Sequence, residues 1–302
     1  MARNMHKYEE LTPYEFDREK ERASIVYVAA GPLEYHEECN ILGLDTNKGY
    51  DWCLAAAEVT GGIVFPMLPI APAGHRPHMS KEQLRAAHRP HMDKEKLRQC
   101  YKLPRYREEY AEGFGSLYPS MFFSREACYP VYEELLEMLA DEMQFKVCMF
   151  VGSHSPASEL IKEIVAHANG TEPPAVHQQG VVYGDFHGMR VIAASSQDYS
   201  DEFLTDFHKK NGIPKAFHGG MWEMALNYAI NPDYYHPEYL DETKYPQHFG
   251  ALREDYTEKS NRPTKSEFRK FTPEFAKQIR EVTIQNMIAD VQRNYKEVTE
   301  KE

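Results

Sequence analysis

Short apolar runs separated by helical stretches organise the chain. Ile25-Val26-Tyr27-Val28-Ala29-Ala30, Lys146-Val147-Cys148-Met149-Phe150-Val151-Gly152 and Met189-Arg190-Val191-Ile192-Ala193-Ala194-Ser195 read as buried strands, being almost continuously apolar. Ile63-Val64-Phe65 reads as another, ending at Pro66, with Leu68-Pro69-Ile70 extended beyond it. Residues from about Asn47 to Val59 have helical character, and Gly61-Gly62 stops them. This β-α-β order predicts parallel strands joined by a right-handed crossover. Ser124 caps a predicted helix from Arg125 to Met143, with Val131, Leu135, Leu136 and Leu139 as its buried face and Pro130 near its first turns. Further helices are expected from about Ala157 to Ala168, and through Ala225, Leu226, Tyr228 and Ala229 as far as Pro232. The last starts at Thr272-Pro273-Glu274 and runs to about Tyr295.

The length of 302 residues fits one large α/β domain or two smaller ones. A formal net charge of -12 disfavours nucleic acid or an anionic membrane as a partner, since neutralising phosphates takes clustered Lys and Arg. The first residues lack the apolar core of a signal peptide and no apolar run is long enough to span a bilayer, so a soluble cytoplasmic protein is expected. The five cysteines (Cys39, Cys53, Cys100, Cys128 and Cys148) contain no C-x-x-C, which argues against a disulfide framework and against a thiolate zinc site.

One segment breaks the pattern. His75-Arg-Pro-His-Met-Ser-Lys-Glu-Gln-Leu-Arg is followed by His88-Arg-Pro-His-Met-Asp-Lys-Glu-Lys-Leu-Arg, a tandem near-duplicate with Ser80 and Asp93 as helix caps. Two copies are too few for a solenoid, and a lid or subunit contact is the expected role. The stretch from Tyr234 to Arg269, rich in Tyr, Pro and charge, is expected to wrap the domain.

Candidate chemistry gathers where the apolar runs end. Glu34 and His36 follow the first run on its exit loop, and in an extended segment residues two apart point to the same side. Asp45 returns after a short loop, and a carboxylate can bridge two ions. One His with two carboxylates suits a borderline divalent metal such as zinc or manganese. His154 stands just past the end of the 146–152 run, while His218 and Glu223 lie on a Gly-Gly turn entering a helix. In a parallel α/β sheet the ligand site lies at the carboxyl ends of the strands, so one site can collect all of these groups.

These residues resemble the creatininase, or creatinine amidohydrolase, family. The resemblance rests on Ala30-Gly31-Pro32-Leu33-Glu34-Tyr35-His36 with Asp45, on Val151-Gly152-Ser153-His154, and on His218-Gly-Gly-Met-Trp-Glu223 before an apolar helix and a Pro. It covers most of residues 24 to 232. It implies a three-layer α/β/α sandwich with a mainly parallel sheet, forming a single domain over 1–302. The repeat segment at about 74–115 is then an insertion, and residues from about 234 to 302 form a C-terminal wrapping segment and helix. The resemblance also implies two divalent ions per chain, zinc and/or manganese, in a chain assembled as a homo-oligomer, commonly a hexamer. Glu34 and His154 hold one ion, His36 and Glu223 the other, and Asp45 bridges them, with His218 as the proton-transferring histidine.

The departures narrow the substrate. The family's G-H-G-G-N turn is Ser153-His154-Ser155-Pro156-Ala157 here, and Pro156 replaces the acidic ligand of creatinine-hydrolysing members, which argues against creatinine itself. The expected reaction is attack by a metal-bridging hydroxide on a carbonyl of a small polar cyclic substrate, with His218 moving the proton. A cyclic or N-substituted amide is favoured. The alternatives are C–C ring opening of a polyhydroxylated cyclic diketone of the oxidised-inositol type, and a non-catalytic, metal-stabilised oligomeric binding protein. Trp222, His75 and Tyr118 are the substrate-binding candidates.

Overall fold

The computed structural model describes residues 3–72, 120–175, 179–195, 197–212, 218–245, 252–255 and 263–300. The tandem repeat, with His75, and Tyr118 lie outside the described residues. Helix α1 (Pro13–Arg22) starts on a capping box: the Thr12 hydroxyl accepts from the Glu15 N–H, and the Glu15 carboxylate accepts from Thr12. It leads into β1 (Ile25–Ala30), whose bounds match the apolar run. Helix α2 (Leu44–Thr60) begins earlier than the sequence predicts and takes in Asp45. Gly43 serves as its N-cap, and an acidic side chain in the first turn is favoured by the helix dipole. Strand β2 follows (Ile63–Val64), then α3 (Arg125–Glu137), extended by a π-helical turn over Met138–Glu142, and β3 (Val147–Gly152).

Helix α4 (Ser155–Ala168) starts directly at His154, two residues before the predicted start. Strands β4 (Val182–Phe186) and β5 (Met189–Ser195) form a hairpin, and α5 (Asp201–Asn211) follows. Helix α6 (Met221–Ile230) ends before Pro232, and α7 (Lys265–Phe268) is a single turn capped by Thr264. The long α8 (Pro273–Thr299) is capped by Thr272 and runs four residues beyond the predicted end.

The sheet order is β2-β1-β3-β5-β4. The first four strands are parallel and β4 is an antiparallel edge, so the sheet is mainly parallel as expected. Alternation along the central strands splits the core into two layers. Ile25, Tyr27, Ala29, Met149 and Ile192 face α2, α6 and α8, with Trp52, Met224 and Met287. Val26, Val28, Phe150 and Val191 face α3 and α4, with Tyr132, Leu136 and Leu160. A helical layer on each face of one sheet makes the three-layer α/β/α sandwich that the continuous apolar runs demand. No helix among the described residues is long and apolar enough to cross a membrane.

Candidate metal centre

The site forms where β1 and β3, paired in register from Ile25–Val147 to Ala30–Gly152, release their chains at the same sheet edge. The close approach of β3 to α4 is fixed by Gly152, where a Cβ would lie 2.3 Å from the backbone of Ser158. His154 is therefore carried from a strand end directly into the N-cap position of α4. Opposite, the turn before α6 presses against the β1 exit loop. Gly219 has φ +71, and a Cβ there would meet the His36 carbonyl carbon at 2.9 Å, so this contact requires glycine. Its N–H donates to Glu223 Oε2 at 2.8 Å.

These elements bring Glu34, His36, Asp45, His154, His218 and Glu223 into three overlapping groups with metal-ligand spacing, one of them Glu34, His36 and the partly exposed His218. Of the other two, Glu34, Asp45 and His154 form the first and His36, Asp45 and Glu223 the second, so Asp45 is common to both. Apart from His218, all of them are buried. His154 Nδ1 lies 2.9 Å from Glu34 Oε2 and 3.4 Å from Asp45 Oδ2. His36 Nε2 lies 3.5 Å from Asp45 Oδ1 and 3.7 Å from Glu223 Oε2. The His36 Nδ1–H donates to the Glu34 carbonyl oxygen at 3.0 Å, which orients the ring with Nε2 towards the carboxylates.

The first group fits a cation on the evidence of its own unpaired atoms. Both carboxylate oxygens of Glu34 and Oδ2 of Asp45 are buried, and apart from the imidazoles of His154 and His218 nearby they have no hydrogen-bond partner among the described residues. Unpaired buried carboxylate oxygens cost several kcal/mol, and coordination removes that cost. Electrostatics point the same way. Burial opposes a charge on His36, yet the carboxylates of Asp45 and Glu223 push it up to about 9. Burial likewise opposes a charge on His154, and Glu34 and Asp45 bring it to about 10. Such strain towards protonation measures an excess of carboxylate charge that a divalent ion would also relieve.

His218 lies at the rim. Its side chain is 25% exposed, against 1% for His36 and 9% for His154, so among these three it alone is well open to an incoming molecule. Its Nε2–H donates to the Tyr35 carbonyl at 2.7 Å, its ring lies over His36 with centroids 4.2 Å apart, and Nε2 is 3.7 Å from Glu34 Oε1. Trp222 is set differently from a ring-stacking platform: it is 2% exposed and packed in the core.

The residue that sequence reasoning missed is Lys48. Its side chain is fully buried, with Nζ 2.7 Å from Asp45 Oδ1 and 2.6 Å from Glu223 Oε1. Nζ also stands 5.3 Å from the centre of the Trp222 ring. Burial works against its charge, but Asp45 and Glu223 raise its pKa above the ordinary lysine value. In turn Lys48 and His36 hold Asp45 well below the usual carboxylate range against its burial, and they lower Glu223 in the same way. The signal was present in the sequence. Asp45, Lys48 and Trp52 recur at helical spacing on the face of α2 that carries its apolar residues, where a lysine requires a buried partner.

No family model matches the chain, and no curated protein sequence matches it. Solved structures do. A creatinine amidohydrolase (creatininase) superposes with a TM-score of 0.61 at 15% identity, covering 96% of this chain and 98% of that one. A mutant creatininase of zinc–zinc type gives a TM-score of 0.64 at 15% identity, covering 97% and 99%. A manganese creatininase gives 0.64 at 15%, covering 96% and 98%. At this distance the likeness establishes the architecture: the chain has the creatininase fold and is far removed from those proteins in sequence.

Proposed function

We propose that this chain, folded as a creatininase, is a metal-dependent hydrolase acting on a carbonyl of a small polar cyclic substrate, a cyclic or N-substituted amide. The observation that carries this reading is the cluster of unpaired buried oxygens on Glu34 and Asp45, with the His154 imidazole beside them, at the carboxyl end of a parallel sheet. Two carboxylates and an imidazole suit zinc or manganese, the metals named for two of the similar structures. The His36, Asp45 and Glu223 group is the second ion position that the creatininase resemblance implies. When bound, a divalent ion supplies Lewis acidity towards a carbonyl and makes water acidic enough to act as a nucleophile near neutral pH.

The chain's own residues do the rest. His36 is locked in orientation by the Glu34 carbonyl, so the shape of the site does not depend on substrate. His218, partly exposed at the rim, is the group that exchanges a proton with the leaving atom. Assembly as a homo-oligomer belongs to the same reading.

The test is a screen of cyclic amides with the protein as purified, after chelation, and after return of zinc or manganese. Release of an amine that stops on chelation and resumes on metal return supports the proposal. Release of a carboxylate alone from a polyhydroxylated cyclic diketone moves the activity to C–C ring opening on the same site. No turnover of either class by metal-loaded protein refutes the hydrolase reading.

A further inference from the structure

We propose that the Lys48 ammonium takes the place of the second metal ion, so that the chain is built for one divalent ion per site, held by Glu34, Asp45 and His154. This inference rests on the metal-dependent reading of the site and concerns how many ions that site takes.

The hydrogen-bond partners divide the two ligand groups. In the group of Glu34, Asp45 and His154, three buried carboxylate oxygens meet no lysine, hydroxyl or backbone donor among the described residues, and the group near two of them is the His154 imidazole, itself a candidate ligand. In the group of His36, Asp45 and Glu223 the acceptors are already served. Glu223 Oε1 accepts from Lys48 Nζ at 2.6 Å, Glu223 Oε2 accepts from the Gly219 N–H at 2.8 Å, and Asp45 Oδ1 pairs with Lys48 Nζ at 2.7 Å. Apart from the imidazoles, which are candidate ligands, one group has no cationic side chain against its carboxylates and the other has the Lys48 ammonium.

Lys48 has no route out. It is fully buried, and it leaves α2 one helical turn after Asp45, so the backbone that presents the shared ligand also presents the ammonium. A metal ion binding Asp45 and Glu223 would share both ligands with Nζ at contact range, where like charges in a buried site repel by several kcal/mol. Removing the ammonium to bulk water would require opening the layer between α2 and α6. The charges also match. Glu34, Asp45 and Glu223 carry three negative charges and Lys48 one positive, which leaves two for a single divalent ion to balance. Two divalent ions beside the ammonium would leave an excess of positive charge among these buried ligands. A zinc–zinc creatininase shares the fold, so the architecture admits two ions, and Lys48 is the feature of this chain that restricts it to one.

The experiment is metal stoichiometry, read by elemental analysis on reconstituted and desalted protein, with manganese loading followed by electron paramagnetic resonance. The wild type is expected to hold one ion per chain, with an uncoupled manganese spectrum. Lys48→Met should rise to two ions with an exchange-coupled spectrum, and Lys48→Arg should remain at one. Glu223→Gln, which spares the first group, should keep its single ion and guards against a Lys48 variant that fails to fold. Two ions in the wild type, a folded Lys48→Met that stays at one, or loss of the ion in Glu223→Gln would each overturn the inference. No ion in any reconstituted protein would refute the metal-dependent reading itself.

Discussion

Glu267 offers a test of how the second half of the chain supports the site. It sits on the single turn α7, buried, with Oε1 accepting the N–H of Met221 at 2.9 Å. Met221 opens α6, the helix that carries Glu223, and its N-cap is Gly220, which has no side chain to offer. Glu267 therefore caps α6 from a distant part of the sequence. Burial pushes its carboxyl up to about 7, the N–H groups of Met221 and Thr264 pull against that, and the nearby Glu37 adds to the rise. A carboxyl raised in the folded state contributes stability that is fully present below its ordinary value near 4.5 and is lost as pH climbs through about 7. The gap amounts to about 3 kcal/mol. For a chain of this length that is about 5 °C in melting temperature. Glu267→Gln keeps an oxygen for the Met221 N–H and removes the titration. The melting temperature of the wild type minus that of the variant should fall by about 5 °C between pH 4.5 and pH 8, followed by thermal denaturation in matched buffers. Parallel profiles across that range would mean that the carboxyl titrates as a solvated one, and the buried capping account of α6 would be wrong.

Other perturbations probe the site and its frame. His218→Ala should lower turnover about 10²- to 10⁴-fold while elemental analysis finds the bound metal unchanged; metal loss would make His218 a ligand instead. Gly152→Ala should cost about 1–3 kcal/mol in a denaturant titration and weaken metal binding in calorimetry, because its Cβ would lie 2.3 Å from the Ser158 backbone and force α4, with His154, off β3. The Arg280 guanidinium donates to both oxygens of Asp51, tying α8 to α2 at 2.6 and 2.8 Å. Arg280→Leu should therefore lose about 1–2 kcal/mol of stability with the metal site intact.

The fold was legible wherever burial is two-sided. A central strand of a parallel sheet is apolar on both faces, so Ile25–Ala30 and Met189–Ser195 are bounded by their own composition. The edge strand β4 and helix α5 were not. Strand β4 is exposed at Tyr183 and Asp185, its burial alternates with solvent, and its sequence, Val-Tyr-Gly-Asp-Phe, contains a glycine that weakens any strand pattern. Helix α5 was missed because its apolar side is short, Phe203, Leu204 and Phe207 packed against α8, and the rest of its sequence is charged or polar. Helix α2 was read as starting too late because its cap is a glycine, Gly43, a weaker start signal than Ser, Thr, Asn or Asp.

That late reading of α2 is what concealed the most consequential residue. With Asp45 on a loop, Lys48 has no fixed relation to it. With Asp45 in the first turn, the two side chains lie three residues apart on the buried face, and a charge pair between them follows from helix geometry. That Glu34, His36, Asp45, His154 and Glu223 gather in one buried cluster was legible because Glu, His and Asp next to strand ends and helix starts are chemically distinctive. Lys48 was not, because a lysine becomes informative only once its neighbours are known to be buried. The same set of candidate ligands can thus sit in two electrostatic settings, one without a lysine among them and one with the Lys48 ammonium already in place. A single side chain on α2 decides between them.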